Sequence, residues 1–301
     1  MHEPCLNCAS VSFIKKYYIK HTGHYIVTCR TCGLVQVNPR NRLLNIADYE
    51  SSSVRDRKLK QLHDLMVKDT GLSLKEIMEK ENTIRRKHFK ARIDGIKQYK
   101  NSGKLLDIGC AQGAFLSACS DTNFQLYGVE PSKYTYIEAL KNASDGTFYN
   151  GTLLEARFLD DYFDVITLIN TLEHLLNPKE ALVEICRILR SGGLLMIETP
   201  NMGNWIAYVS GRRWVQLQFP DHVTFFSKSI LTQILQELGF EIQQVKSGNK
   251  ILSVRLFLFY LGRYFKILGK DLLKICEKVG FADKMISFPQ WDEMILFATK
   301  R

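Results

Sequence analysis

Four cysteines near the start of the chain, Cys5, Cys8, Cys29 and Cys32, stand in the order C-x2-C, twenty residues, C-x2-C. Two close pairs, each on a tight turn, supply four thiolates at the spacing of a tetrahedral zinc site. Four thiolates leave no coordination position open for water or substrate. The metal expected here is therefore structural, and its task is to fold about forty residues that lack a core. A pairing into two disulfides is the rival, but it suits an oxidising compartment rather than the reducing one expected for this chain. His21 and His24 lie between the pairs and read as exposed hairpin histidines, with ligand substitution as the alternative. Cys119, Cys186 and Cys276 sit in apolar segments and read as small core hydrophobes, as does Cys110 by composition.

A second group of residues points to a nucleotide. The stretch "KLLDIGCAQGAFL", Lys104 to Leu116, runs an apolar strand into glycines and then into a small-residue helix. Such a turn lets the backbone approach a cofactor at the carboxyl edge of a parallel sheet. A dinucleotide site would want G-x-G-x-x-G/A, whereas here Gly109 is followed by Ala111 and then Gly113, and the strand ends in Asp107. A carboxylate there is badly placed for a pyrophosphate and well placed for an ammonium. Glu130 closes the next strand, "YGVEP", where an acid can accept both ribose hydroxyls. The cofactor with an amino group, a ribose and a sulfonium but no phosphate is S-adenosylmethionine.

A third group bears on the acceptor. Methyl transfer is an in-line displacement at a carbon activated by the sulfonium, so the protein has to position the acceptor and remove its proton. Histidine suits that task near neutral pH. His174, in "NTLEHLLNP", follows the fourth strand, and His222, in "FPDHVTFF", precedes the helix "SKSILTQILQELGF". His222 is the favoured base, with His174 as the second candidate and Asp221 or Glu173 orienting an imidazole or accepting a substrate hydroxyl. Trp205, Tyr208, Trp214, Phe219, Phe225 and Phe226 lie around His222 in sequence. They read as core, or as a platform that stacks on a sugar ring.

These residues must be held by ordinary globular material. The chain has 301 residues, 46% hydrophobic and 24% charged, enough for one large domain with additions. No stretch reaches eighteen residues without a charge and the N-terminus has no apolar run, so the protein is expected in the cytoplasm. A net charge of +10 favours anionic partners: nucleic acid, a phosphorylated substrate or an anionic membrane surface. Between 46 and 100 the periodicity predicts two amphipathic helices, in "VRDRKLKQLHDLMVKDT" and "SLKEIMEKENTIRRKHFKARIDGIKQY". From Lys104 on, strand-like runs alternate with helical ones: "KLLDIG", "QLYGVE", "FDVITLI", "GLLMIETP", "EIQQVK" and "EMILFATK". That alternation predicts an α/β, doubly wound, mainly parallel sheet. The segment "ILSVRLFLFYLGRYFKILGKDLLKICEK" reads as a basic amphipathic helix with Arg255, Arg263, Lys266, Lys270 and Lys274 on one arc. It is expected as a helical insertion over the active site or in a dimer, with peripheral contact to the inner face of a membrane through 251–275 as the alternative.

In order and spacing, "LLDIGCAQGAFL", "GVEPS", "GTLLEARFLDDYFDVITLINTLEHLLNP" and "EICRILRSGGLLMIETPN" resemble the class I S-adenosylmethionine-dependent methyltransferases. With "TPNMGNW", "RRW", "PDHVTFFSKSILTQILQELGF" and the cysteine-rich head, the chain resembles bacterial sugar and surface-polysaccharide methyltransferases. The resemblance implies a Rossmann-like, doubly wound seven-stranded sheet whose last strand, "DEMILFATK", is antiparallel. It implies three regions: a zinc-binding ribbon over 1–45, a helical linker or cap over 46–100, and a methyltransferase domain over 101–301 with a helical insertion at about 251–290. It further implies that Asp107, Gly109 and Gly113 take the methionine end of the cofactor and Glu130 the ribose. The segment from Asn150 to Leu153 would meet the adenine, with Cys110, Pro131, Thr152, Leu153 and Asn170 completing the pocket. The chain departs from the family where Ala111 replaces a frequent glycine and Thr152 stands near a frequent acid. The expected acceptor is a nucleotide-linked or lipid-linked sugar. The alternatives are an RNA base methyltransferase gripping RNA through the ribbon and a non-enzymatic interaction protein with a degenerate pocket. Against RNA, the fourth strand is followed by "NTLEH" rather than N/D-P-P-Y or a Pro-Cys pair. The oligomeric state stays open.

Overall fold

The computed structural model describes residues 3–19, 23–39, 64, 67–68, 73–217, 221–255, 257–258 and 268–301. The chain divides into two compact units, one of Met1–Glu50, Ile93–Gly248 and Trp291–Arg301, the other of Ser51–Arg92 and Asn249–Gln290.

Three short strands open the first unit: β1 (Phe13–Ile19), β2 (His24–Cys29) and β3 (Val35–Asn38). Helix α1 (Leu74–Lys97) follows, and then the alternation that the sequence predicts. Strand β4 (Ser102–Ile108) leads to α2 (Ala114–Ala118), β5 (Asn123–Glu130) to α3 (Lys133–Asn142), and β6 is only Thr147–Asn150. Next come β7 (Phe163–Ile169), α4 (Pro178–Ile188), β8 (Leu189–Pro200), α5 (Trp205–Ser210), β9 (Thr224–Phe225), α6 (Lys228–Glu237) and β10 (Phe240–Ser253). Helix α7 (Leu268–Lys278) and β11 (Met285–Lys300) complete the order.

The large sheet runs β10-β11-β8-β7-β4-β5-β6. Its pairs β4–β5, β4–β7, β5–β6 and β7–β8 are parallel, while β11 is antiparallel to β8. The expected seven-stranded sheet with an antiparallel last strand is what the chain forms. The central strands read as continuous apolar runs because helices cover both of their faces. Leu105, Leu106, Val165, Ile166, Leu195 and Ile197 are fully buried. Helix α4 starts with Pro178 in its first turn and buries Leu182, Ile185 and Ile188 on one stripe. Burying each such side chain contributes on the order of 1.5–3 kcal/mol.

The four-stranded sheet, β1-β2-β3-β9, joins the cysteine-bearing hairpins to a strand from the far side of the sequence. Val35 pairs with Phe225 and Gln36 with Thr224, and the Val37 N–H donates to the carbonyl of Val223 at 2.9 Å. Cys5, Cys29 and Leu34 belong to the same buried cluster as Leu106, Ile166 and Ile197. The N-terminal segment thus shares the main core, which corrects the expectation that a metal alone must fold it. Ile26, Val35 and Val37 pack with Trp214, Phe225 and Ala207 in a second cluster.

In the other unit, residues 251–253 belong to β10, so the sequence-predicted helix over 251–278 is not continuous. Residues 259–267 lie outside the description, as do most of the first of the two predicted helices, His21 and Phe219. Arg255 does not join a basic stripe there. Its guanidinium is largely buried and ion-paired with Glu277 and Asp283. Val254, Leu258, Leu273 and Ala282 make the small core of this unit. Among the described residues no helix is long and apolar enough to cross a membrane.

Candidate cofactor and acceptor site

Asp107, Gly109, Glu130, Asn170, Glu173 and His174 lie at or just beyond the carboxyl ends of β4, β5 and β7, where open α/β sheets bind ligands. Asp107 is the penultimate residue of β4 and is buried beside Thr167, its register partner on β7, whose hydroxyl donates to Asp107 Oδ1 at 2.7 Å. Burial pushes its pKa up to about 7, helped by the Glu130 charge and opposed by the Thr167 hydrogen bond. Gly109 and Gly113 both have φ 72°. A Cβ at Gly109 would lie 2.6 Å from the Thr171 methyl, so glycine is required there on two counts.

Glu130 ends β5, and both of its oxygens are held by main-chain donors. The Ala111 N–H reaches Oε2 at 2.9 Å and the Ser132 N–H reaches Oε1 at 3.0 Å. Ala111 adopts φ 47° to make this contact, a left-handed conformation that costs an alanine about 1–2 kcal/mol. Asn150 closes the same corner, its amide donating to the carbonyls of Glu130 and Pro131 at 2.9 and 3.1 Å. Thr152 instead forms a cap with Glu155, which accepts from both its N–H and its hydroxyl. Leu153 is buried, Cys110 is buried with its thiol near Gly128, and Asn170 has φ 50° with its N–H donating to the Glu198 carbonyl at 2.8 Å.

The acceptor candidates converge from two distant segments. Glu173 and His174 form a 3-10 turn after β7, and His222 precedes β9. One potential ligand atom from each of Glu173, His174 and His222 lies within 4.8 Å of the other two. The imidazole centroids are 4.7 Å apart in an edge-on arrangement. His174 Nδ1 contacts the Asp221 carbonyl at 2.6 Å, and His222 Nδ1 contacts the Gln216 carbonyl at 2.8 Å. A carbonyl only accepts, so each Nδ1 carries a proton. Asp221 thus meets His174 through its main-chain carbonyl, while its carboxylate raises the His222 pKa slightly. Burial, with His174 beside it, lowers the His222 pKa to about 4, so the ring is neutral at physiological pH.

Glu173 is 1% exposed. Its Oε2 accepts from the Thr199 hydroxyl at 2.9 Å, while Oε1 is buried without a hydrogen-bond partner. Burial raises its pKa to about 7, and nearby Glu198 adds to the shift. The pairing of β9 with β3 fixes this corner, because the Val223 N–H also donates to the Glu173 carbonyl at 2.9 Å. Sequence reasoning missed Thr167, Thr199 and Gln216. The two threonines are single hydroxyls in otherwise apolar strands, and Gln216 meets His222 through its main-chain carbonyl.

The aromatic residues divide. Trp214, Phe225 and Phe226 are core. Trp205 and Tyr208 on α5 are 60% and 88% exposed, and Trp205 lies 5.9 Å from Trp291, centroid to centroid. Trp291 precedes Glu293, which pairs with Pro200 at the carboxyl end of β8 and accepts from Gln216 Nε2 at 3.1 Å.

The four thiols near the N-terminus also gather. Cys5 Sγ lies 3.5 Å from Cys32 Sγ and Cys8 Sγ 3.6 Å from Cys29 Sγ, with all four within 4.8 Å of one another. These separations exceed a disulfide bond of about 2 Å and approach the edge of about 3.8 Å in a tetrahedron with 2.3 Å zinc–sulfur bonds. The donor set fits zinc. His24 is buried at the start of β2, outside this cluster.

Comparison with known proteins matches residues 83–245 to a family described as a methyltransferase domain. The chain belongs to that family. It carries a class I, S-adenosylmethionine-dependent methyltransferase domain. It is similar to a Mycolicibacterium smegmatis protein named "Probable S-adenosylmethionine-dependent methyltransferase", 26% identical over 139 residues, 46% of this chain and 52% of that one. It is also similar to the ubiquinone biosynthesis O-methyltransferase of Thiobacillus denitrificans, 24% identical over 157 residues, 47% of this chain and 66% of that one. The matches thus span between half and two thirds of these relatives. A methyltransferase of Archaeoglobus fulgidus shares the fold, with a TM-score of 0.50 at 19% identity over 73% of this chain and 97% of that one.

Proposed function

We propose that this chain transfers a methyl group from S-adenosylmethionine to a hydroxyl of a sugar or glycan, nucleotide-linked or lipid-linked. The observation that carries the reading is the gathering of Glu173, His174 and His222 at the sheet edge that also ends in Asp107 and Glu130. Asp107 would meet the ammonium of the cofactor and Glu130, already oriented by two N–H groups, the ribose hydroxyls. Asn150, Leu153 and the Gly109–Gly113 turn would line the remainder. The bound cofactor supplies an electrophilic methyl group. Transfer forms an acceptor O–CH3 bond and breaks the S–CH3 bond, whose electron pair stays on sulfur. The released hydroxyl proton falls to the Glu173–His174–His222 cluster, His222 serving as the neutral base.

The exposed indoles of Trp205 and Trp291 favour a sugar ring, since apolar sugar faces stack on such surfaces. The relatives named as ubiquinone O-methyltransferases favour oxygen as the methylated atom. Zinc on Cys5, Cys8, Cys29 and Cys32 would hold the hairpins that feed β3 into β9. The test is calorimetric titration of the zinc-loaded protein with S-adenosylhomocysteine, beside Asp107→Ala and Glu130→Ala, followed by a screen of nucleotide sugars for methylation. Micromolar binding lost in both variants supports the pocket. Absence of binding by the folded wild type refutes it.

A further inference from the structure

Three side chains that can ligate a metal meet at the Glu173–His174–His222 cluster. Each Nδ1–H is committed to a carbonyl, which leaves Nε2 as the ring nitrogen each histidine can offer to a ligand. Glu173 adds a carboxylate oxygen that is buried without a partner. One ligand atom from each of the three lies within 4.8 Å of the other two, and a buried carboxylate oxygen without a partner is costly unless something positive lies beside it. Glu198, also buried, deepens the negative potential.

A metal ion answers every part of this arrangement. Ligating histidines donate their second ring nitrogen to a carbonyl or carboxylate, which fixes tautomer and ring orientation. Both rings here do so, through Asp221 and Gln216. A ligating carboxylate is held by a further hydrogen bond, as Thr199 holds Glu173 Oε2. Two imidazoles and one carboxylate suit zinc, iron or another first-row divalent ion and leave coordination positions open. His174 is only half-buried, which gives the cluster a route to solvent.

We propose that Glu173, His174 and His222 form a second metal site, distinct from the four thiolates, which binds a divalent transition-metal cation. With the ion bound, its open position would receive the acceptor hydroxyl and lower its pKa, so that His222 acts as a ligand in place of the base role given above and the proton leaves to water. This last clause rests on the methyl-transfer reading; the metal site itself does not.

The test is metal content and zinc titration of the full chain. Wild type is expected to hold two zinc ions, while Glu173→Gln and His222→Ala each hold one, retained by the thiolates. Both variants are expected to keep their S-adenosylhomocysteine affinity, which shows that they fold. On wild type, zinc addition should also shift the 15N resonances of His174 and His222, a readout that needs no variant. A single zinc in wild type with both imidazoles unmoved overturns the site and leaves a proton on Glu173 as the positive partner. A second zinc that survives both substitutions overturns it equally. Wild type that binds two zinc ions but no S-adenosylhomocysteine keeps this site and sinks the cofactor reading instead.

Discussion

Lowering the pH from 8 to 6 should weaken S-adenosylhomocysteine binding about tenfold through Asp107 alone. Without ligand this carboxyl is buried, faces Glu130, and is relieved only by the Thr167 hydroxyl, which leaves its pKa at about 7. Its thiol neighbours do not compensate: burial and Asp107 keep Cys110 and Cys119 protonated, with Glu130 adding to the effect on Cys110, and Cys119 is raised to about 12. An ammonium binds the carboxylate and not the acid. For a pKa near 7 the ionised fraction is about nine-tenths at pH 8 and about one-tenth at pH 6, a difference of about 1.4 kcal/mol in binding free energy. The sign is fixed: affinity rises with pH and levels off above 8. Near pH 7, about half a proton should be released on binding. Calorimetry in two buffers of different ionisation enthalpy reads both the affinity and the proton release. In Asp107→Asn the slope should vanish along with most of the affinity. Wild-type affinity that is flat from pH 6 to 8, with no proton release, would refute the assignment of Asp107 to the ammonium.

His222→Ala should lower turnover by about 10²-fold or more, the range for a lost proton-transfer group, with cofactor affinity retained; loss of binding in the folded variant would move His222 into the cofactor pocket. Gly109→Ala should abolish cofactor binding, since its Cβ would meet the Thr171 side chain at φ 72°, and wild-type calorimetry from this variant would show the turn to be dispensable. Ala111→Gly should raise stability by about 0.5–1 kcal/mol, the relief of a left-handed alanine less the added freedom of the unfolded chain, read as a small rise in Tm. Removal of zinc by a chelator should cost the first unit its cooperative melting as well as acceptor turnover, because Cys5 and Cys29 lie in its main core; an unchanged melting curve would separate metal from fold.

Much of the large sheet could be read from the sequence because its strands bury both faces and so appear as apolar runs. Strand β6, "TFYN", carried no such signal: it is a four-residue edge strand with three exposed positions. Asp107 and Glu130 could be placed because a carboxylate at the end of an apolar strand is conspicuous. The partnership of His174 with His222 could not, since 48 residues separate them and a two-residue strand aligns them. The helix read across 251–278 failed at its start because apolar residues alone do not distinguish the end of a buried strand from a helix. Arg255, assigned to a charged face by helical geometry, instead answers two acids nearby.

The pairing of β3 with β9 has a thermodynamic consequence. The Leu6 N–H donates to the Gln36 side chain at 3.0 Å, and Gln36 sits in register with Thr224, two residues beyond His222. Order in the thiol-bearing hairpin and order in the His222 segment are therefore one equilibrium, with a coupling free energy that runs both ways. With the roles proposed above, an acceptor that tightens around His222 would raise the affinity of the thiols for a metal, and loss of that metal on thiol oxidation would weaken acceptor binding. In those roles, a redox-sensitive cluster one strand away from His222 would make the acceptor side responsive to the thiol state of its surroundings.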